Sequence, residues 1–273
     1  MTRIRVILND PGPFGEALGL LAPIPPDTPH QRRVRIALSS GCEYTRITAA
    51  NAPQSALWIT AVADAAADAI FHFTPGAAEP VDTMFERLDN RFTRPPPALG
   101  AVIGALVEAA RNDREKVRRI VDFTVERYRY GAGNPAGDEP ALYCGVATGN
   151  CIDINTFLLS AFYAAGIPAA YCAGYFFEAD RPPVADGMHC WITTLADGVV
   201  EDWDIAHHLK RGMRPVLPGL NPIPGSRYAM SVGRGLRFAI ADTVVEIGHL
   251  AQPLWILSGG KTRIADITAT RLP

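Results

Sequence analysis

The sequence of 273 residues has no Cys-x-x-Cys pair, no run of like charge longer than a few residues and no internal repeat. Its five cysteines, Cys42, Cys144, Cys151, Cys172 and Cys190, are an odd number without metal-ribbon spacing. Neither a disulfide framework nor a zinc ribbon fits, and free thiols in a reducing compartment, mostly small and buried, are the simplest reading. Twenty-six Lys and Arg stand against 28 Asp and Glu. Nucleic-acid binding needs a concentrated basic surface, so no nucleic acid is expected as partner. The N-terminus reaches Asp10 and Pro11 before the apolar core of a secretory signal develops, which makes the cytoplasm the expected location. No charged residue falls between Thr156 and Phe177, but Gly166, Pro168 and Gly174 interrupt that stretch. A buried helix followed by a buried strand explains it, and no membrane partner is expected.

Hydrophobic residues make up 48% of the chain and charged residues 20%, which is the composition of a folded protein with a substantial core. The length suggests two domains. Up to about Pro80 the apolar residues alternate or form short runs, as at Ile4, Val6 and Leu8, at Val34, Ile36 and Leu38, and over 56–62 and 67–73. Turn-forming segments such as 23–27 separate them, so an antiparallel sandwich is expected. Three prolines at 95–97 mark the boundary. Beyond it Asn112 caps a helix with Val117, Ile120, Val121, Thr124, Val125 and Tyr128 on one face. The next helix runs over 151–165 and stops at Gly166 and Pro168, with Phe157, Leu158, Phe162 and Ala165 as core candidates. Three strands follow, over 169–177, 188–195 and 199–205, the last two joined by Asp197-Gly198, a hairpin dipeptide. The tail carries further apolar runs at 238–240, 244–247 and 254–257. The expected fold class is therefore α+β, with a β-sandwich domain over 1–95 and a second domain over 96–273 that ends in a β extension.

The chemistry is read from three positions. A helix N-terminus favours thiolate over thiol, and Cys151 opens a predicted helix after Gly149-Asn150. Its N–H would serve as one oxyanion donor. Taken alone, a cysteine at a helix start is more often a packed thiol. His189 lies on a strand 38 residues downstream and can supply a base from a separate element. Across the Asp197-Gly198 turn, the strand holding Asp202 and Asp204 pairs with the histidine's strand, which brings in a carboxylate to orient the ring. Asp202 and Asp204 share one face, so periodicity does not choose between them. Cys190, next to His189, should point away from the base for the same reason. His207, His208, Cys190 and Asp204 suggest a metal site only superficially. Adjacent histidines rarely face one ion, exposed polar residues are the simpler reading, and no metal or other cofactor is expected.

These residues resemble the transglutaminase-like superfamily of papain-related folds. Gly149-Asn150-Cys151-Ile152-Asp153 is similar to its G-x-C-x-D, Gly166-Ile167-Pro168-Ala169 to G-I-P-A-R, Gly174-Tyr175 to its G-Y strand, His189-Cys190-Trp191 to H-A-W, and Asp204-Ile205-Ala206 to D-P-T or D-A-T. Order and spacing are kept over roughly Val117 to Arg211. Segment 21–31 is also similar to the β-rich domain that precedes this core in some bacterial members. The resemblance implies a papain-like core with Cys151 as nucleophile, His189 as base and Asp204 as the orienting acid. Cys190 in place of Ala, Ala170 in place of Arg, and Ile205-Ala206 in place of Pro-Thr leave the substrate class open. The family also places an oxyanion side chain upstream of the nucleophile, where Tyr128, Tyr130 and Tyr143 are the candidates.

By this resemblance the expected activity is acyl transfer from an amide through a thioester, ending on water as in a cysteine peptidase or amidase. The substrate would be a peptide, a protein or a small amide. Transfer to an amine, as in a transglutaminase, is the alternative. Cys151-Ile152-Asp153-Ile154-Asn155 is also similar to the C-x-E-x-N of arylamine N-acetyltransferases, but the preceding R-G-G and the early position of the cysteine are missing. A non-catalytic binding module that retains the fold is a different class of answer, and the intact Cys151, His189 and Asp204 argue against it.

Overall fold

The computed structural model describes residues 1–10, 17–62, 68–75, 82–133, 139–142 and 144–273. Six strands come first: β1 (Thr2–Leu8), β2 (Gly19–Pro23), β3 (Gln31–Leu38), β4 (Cys42–Thr48), β5 (Ser55–Val62) and β6 (Asp68–Pro75). Helices α1 (Pro97–Val107) and α2 (Asp113–Arg127), strands β7 (Tyr128–Tyr130) and β8 (Ala147–Gly149), and helix α3 (Cys151–Ala164) follow. Then come β9 (Ala169–Glu178), β10 (Met188–Ala196), β11 (Val199–Trp203), α4 (Ile205–Lys210), and six more strands, β12 (Gly225–Val232), β13 (Leu236–Ile240), β14 (Thr243–Ile247), β15 (Leu254–Ile256), β16 (Thr262–Ile264) and β17 (Ile267–Leu272). Among the described residues no helix is long and apolar enough to cross a membrane.

The chain divides into two compact units, and neither is a continuous stretch. One comprises Met1–Val81, Ala173–His189 and Gly225–Pro273, and the other Asp82–Cys172 and Cys190–Pro224. The division falls inside β9 and β10. The sequence predicts a boundary at residues 95 and 96, with the tail belonging to the second domain, and the structure divides the chain otherwise. An unpaired strand edge exposes a row of N–H and C=O groups, and the tail supplies the missing partners. β17 pairs antiparallel with β1, Val6 opposite Ala269, and β15 with β2, Leu21 opposite Leu254.

The first unit is a sandwich. One sheet has the order β17-β1-β6-β3 and the other β16-β15-β2-β5-β4. Leu8 from the first packs with Leu20, Ile59 and Trp255 from the second in one buried cluster, as the alternation of Ile4, Val6 and Leu8 requires of a half-buried strand. Two buried glutamines bond the backbone of β12 in place of a neighbouring strand. Gln31 donates to the Ala229 carbonyl at 2.8 Å and accepts from the Ala229 N–H at 2.7 Å, and Gln54 accepts from the Val232 N–H at 2.9 Å. β9 lies beside β12, and a Cβ at Gly174 would stand 1.9 Å from the Tyr228 carbonyl, so only glycine fits there.

In the second unit α3 is the central helix. Eleven of its fourteen residues are buried, the pattern of a helix covered on every side. Ala165, expected in its core, is half-buried because the helix has already ended at Ala164. The stop uses Gly166 at φ +72°. Gly166 N–H donates to the Tyr163 carbonyl at 3.3 Å and Ile167 N–H to the Phe162 carbonyl at 2.9 Å, a Schellman ending. α2 begins as expected, with the Asn112 side chain accepting from the Glu115 N–H at 2.9 Å. β10 and β11 form the expected hairpin. Asp197 and Gly198 both take positive φ, and the register sets Ile192 opposite Trp203 and Thr193 opposite Asp202.

Candidate functional site

Cys151 is the first residue of α3 and is 8% exposed. The turn that presents it is fixed by a reciprocal cap. Asn150 Oδ1 accepts from the N–H of Ile152 at 2.8 Å and of Asp153 at 3.2 Å, and the Asp153 carboxylate accepts from the Asn150 N–H at 2.9 Å. Gly149 is required by close packing rather than by an unusual turn. A Cβ there would stand 2.9 Å from Asp153 Cβ and 3.2 Å from Tyr128 Cε1, inside the cap itself.

Cys190 is fully buried. Burial, then the neighbouring Cys151 side chain, push the Cys190 thiol well above its usual range. Asn155, one turn along α3, ties the two cysteines together. Its Nδ2 donates to the Cys151 carbonyl and to the Cys190 carbonyl, both at 2.9 Å, and lies 3.5 Å from Cys190 Sγ. The strand alternation that turns Cys190 away from its neighbour's face thus turns it toward the helix that carries Cys151.

Asp204 is fully buried, and the strand expected to contain it ends one residue earlier. It is the N-cap of α4, with Oδ1 accepting from the His207 N–H at 3.1 Å. Oδ2 accepts from Asn221 Nδ2 at 3.2 Å and lies 3.3 Å from His207 Nδ1, which is itself 3.0 Å from Asn221 Oδ1. Asp202 is engaged elsewhere. It accepts at 2.6 Å from the hydroxyl of Thr193, its partner in the hairpin register. His207 and His208 are buried, not exposed as expected, and their rings meet different atoms of Asp204. His208 Nδ1 lies 2.8 Å from the Asp204 carbonyl. Trp203 packs the hairpin, donating from Nε1 to the Thr194 hydroxyl at 3.0 Å.

His189 is the second residue of β10, directly before Cys190 in the chain and 6% exposed. Phe176 meets its ring edge-on with 6.0 Å between centroids. Of the three tyrosines considered for the oxyanion hole, Tyr143 lies outside the described residues. Tyr128 is buried against Phe157, 5.4 Å between centroids. Tyr130 is partly exposed on β7, opposite Gly149 of β8. Burial, then the Cys151, Cys190 and Asp204 side chains, raise its phenol above the ordinary range, which marks one locality shared by Tyr130, both thiols and the buried carboxylate. Asn155 and Asn221 carry hydrogen bonds the sequence reading did not assign. Asn155 is visible as the residue one helical turn after Cys151, whereas Asn221 comes from the Pro- and Gly-rich segment after α4 and carries no such signal.

Residues 101–200 match the family model of the transglutaminase-like superfamily, so this segment, from α1 into β11, has a transglutaminase-like core. The match ends before Asp204. No curated protein matches the chain in sequence. Among solved structures it is similar to a candidate cysteine protease from Cytophaga hutchinsonii, at 13% identity over 99% of this chain and 97% of that one, with a TM-score of 0.50. It is also similar to a candidate protease from Parabacteroides distasonis (13% identity, 79% of this chain and 48% of that one, TM-score 0.34) and to the periplasmic domain of TgpA from Pseudomonas aeruginosa (12% identity, 79% and 93%, TM-score 0.38). At 13% identity the likeness to the Cytophaga hutchinsonii structure is one of fold, and the α+β class with a transglutaminase-like core stands. Family and fold together support a thiol enzyme in general and select no one activity.

Proposed function

We propose that the protein is a cysteine peptidase or amidase that cleaves an amide bond through a thioester on Cys151. The observation that carries this reading is the presentation of Cys151 at the capped start of α3, in the locality that Tyr130 shares with Asp204. His189 takes the thiol proton as the sulfur attacks the amide carbon, and returns it to the leaving amine. Asp204 holds the imidazole in the right tautomer. Two observations favour Asp204 over Asp202 for this role: Thr193 already occupies the Asp202 carboxylate, and Asn221 and the α4 N-terminus hold Asp204 in one orientation. The Tyr130 hydroxyl and the N–H of Cys151 stabilise the oxyanion. Water then releases the acyl group.

The test is incubation of the full chain with a mixture of glutamine-containing peptides and a fluorescent primary amine, followed by mass spectrometry. Hydrolysed amides, absent with Cys151→Ala, are expected. Incorporation of the amine in place of cleavage would identify a transglutaminase, and no change in any peptide would favour a binding module.

A further inference from the structure

The first unit holds a cavity of about 480 Å³, part of it open to solvent, within the range of about 300–1,000 Å³ usual for small-molecule sites. Leu8 from one sheet of the sandwich and Leu20 and Ile59 from the other wall it, together with Tyr175 of β9 and Met230 of β12. These five residues are buried, whereas Cys42 and Asp68 in the same wall are partly exposed and mark its mouth. The cavity is separate from the thiol chemistry. Strand alternation turns Phe176 to the other face of β9, and Phe176 is the residue that meets the ring of His189.

Three polar side chains belong to the wall: Cys42, Asp68 and Tyr175. The Cys42 thiol lies 3.4 Å from the Ser39 hydroxyl, and Arg5 donates to the Asp68 carboxylate at 2.6 Å. The Tyr175 hydroxyl is buried and, among the described residues, has no hydrogen-bond partner. Burial pushes this phenol above its ordinary range, so it keeps its proton and is a donor. A buried donor left unpaired costs free energy that a matching acceptor recovers. Water is a poor match, because a buried water needs about three partners and this wall has a single unpartnered group among the described residues. A carboxylate is a poor match too, since no cationic side chain lines the cavity among the described residues.

We propose that this cavity binds a small, uncharged, apolar molecule with one oxygen acceptor, an aryl or alkyl ketone or ester, and that the Tyr175 hydroxyl donates to that oxygen. The hydrocarbon part fills the space between the sheets, and the single polar contact fixes its orientation.

The test uses the full chain labelled at its methionine methyl carbons and titrated with acetophenone, ethylbenzene or benzoate. The Met230 signal, assigned through Met230→Leu, is followed by NMR. Acetophenone should shift it saturably, with Met1, Met84 and Met213, which lie outside the wall, unchanged. Ethylbenzene has a similar shape without the oxygen and should bind about fivefold more weakly, the worth of one net hydrogen bond. Benzoate should leave the signal in place. Tyr175→Phe should bind acetophenone and ethylbenzene equally, and its Tm should be no lower than the parent's, because the lost hydroxyl had no partner. A Tyr175→Phe variant that melts well below the parent would show the hydroxyl already engaged and overturn the proposal. Three results in the parent would also overturn it: no saturable shift at Met230, which leaves the cavity a gap in packing, equal binding of acetophenone and ethylbenzene, or binding of benzoate.

Discussion

The side-chain amide of Asn155 donates to the Cys190 carbonyl at 2.9 Å, which ties the helix that begins at Cys151 to the strand that begins beside His189. The same amide donates to the Cys151 carbonyl. Asn155→Ala removes a donor from two buried acceptors, and about 2–3 kcal/mol of stability should go with it. Asn155→Asp should cost more, because it sets a buried acceptor against two carbonyls. Urea unfolding of both variants checks the order. Equal stability of the two would show that the amide is not the tether.

Asp204→Asn should keep the fold, since asparagine caps a helix as well as aspartate. It should lower kcat by about 10⁴-fold, the scale on which a triad fails when its carboxylate becomes an amide and the histidine takes the wrong tautomer. Asp202→Asn alters the carboxylate that accepts from Thr193 and should leave most of the activity. A reversed order in steady-state assays would assign the acid to Asp202.

Gly149→Ala inserts a Cβ 2.9 Å from Asp153 Cβ, within the cap that presents Cys151. The cost should be about 1–3 kcal/mol, as for other overpacked sites, and the rate of thiol alkylation should fall with it. Thermal unfolding and alkylation rate are measured on the same sample, and an unchanged Tm would mean that the cap yields.

The N-terminus of α2 should be acid-labile. Hydrogen bonds from Arg111 and then Arg119 hold the Glu115 carboxyl down to about 2, against an ordinary value of about 4.3. A group depressed by folding adds stability above its unfolded pKa and loses it as pH falls through the folded one, so this contribution fades between about pH 4 and pH 2. Both partners reach solvent, and salt should weaken the effect. Glu115→Gln should flatten the pH dependence of stability in that window, and an unchanged slope would show that the pairs contribute nothing.

Much of this was legible in the sequence, for physical reasons that differ by element. The start and stop of α3 are local: a capping Asn150 with Asp153 three residues on, and Gly166 at the only positive φ in the stop. The Asn112 cap and the Asp197-Gly198 turn are legible for the same reason. What was not legible is non-local. β2 ends in Pro23, and the prolines around it suggest a turn; it is a strand because β5 and β15 pair with it on either side. The tail joins the first unit because β1 and β2 need edges covered, a requirement no local pattern states. Asp204 was placed inside a strand because alternation continues through 199–205, whereas its side chain caps the next helix. Strand parity predicts that Cys190 points away from its neighbour's face, but parity alone does not say what meets it, and the structure puts the Asn155 amide there.

The central claim is that Cys151 is the reactive thiol. Its direct test is the pH dependence of iodoacetamide labelling, read cysteine by cysteine by mass spectrometry. The account predicts that Cys151 labels first and does so well below the ordinary thiol pKa of about 8.5, with Cys190 and Cys172 protected in the folded protein. Labelling that begins at Cys144, or that reaches Cys151 only as the pH passes the ordinary thiol range, would contradict it.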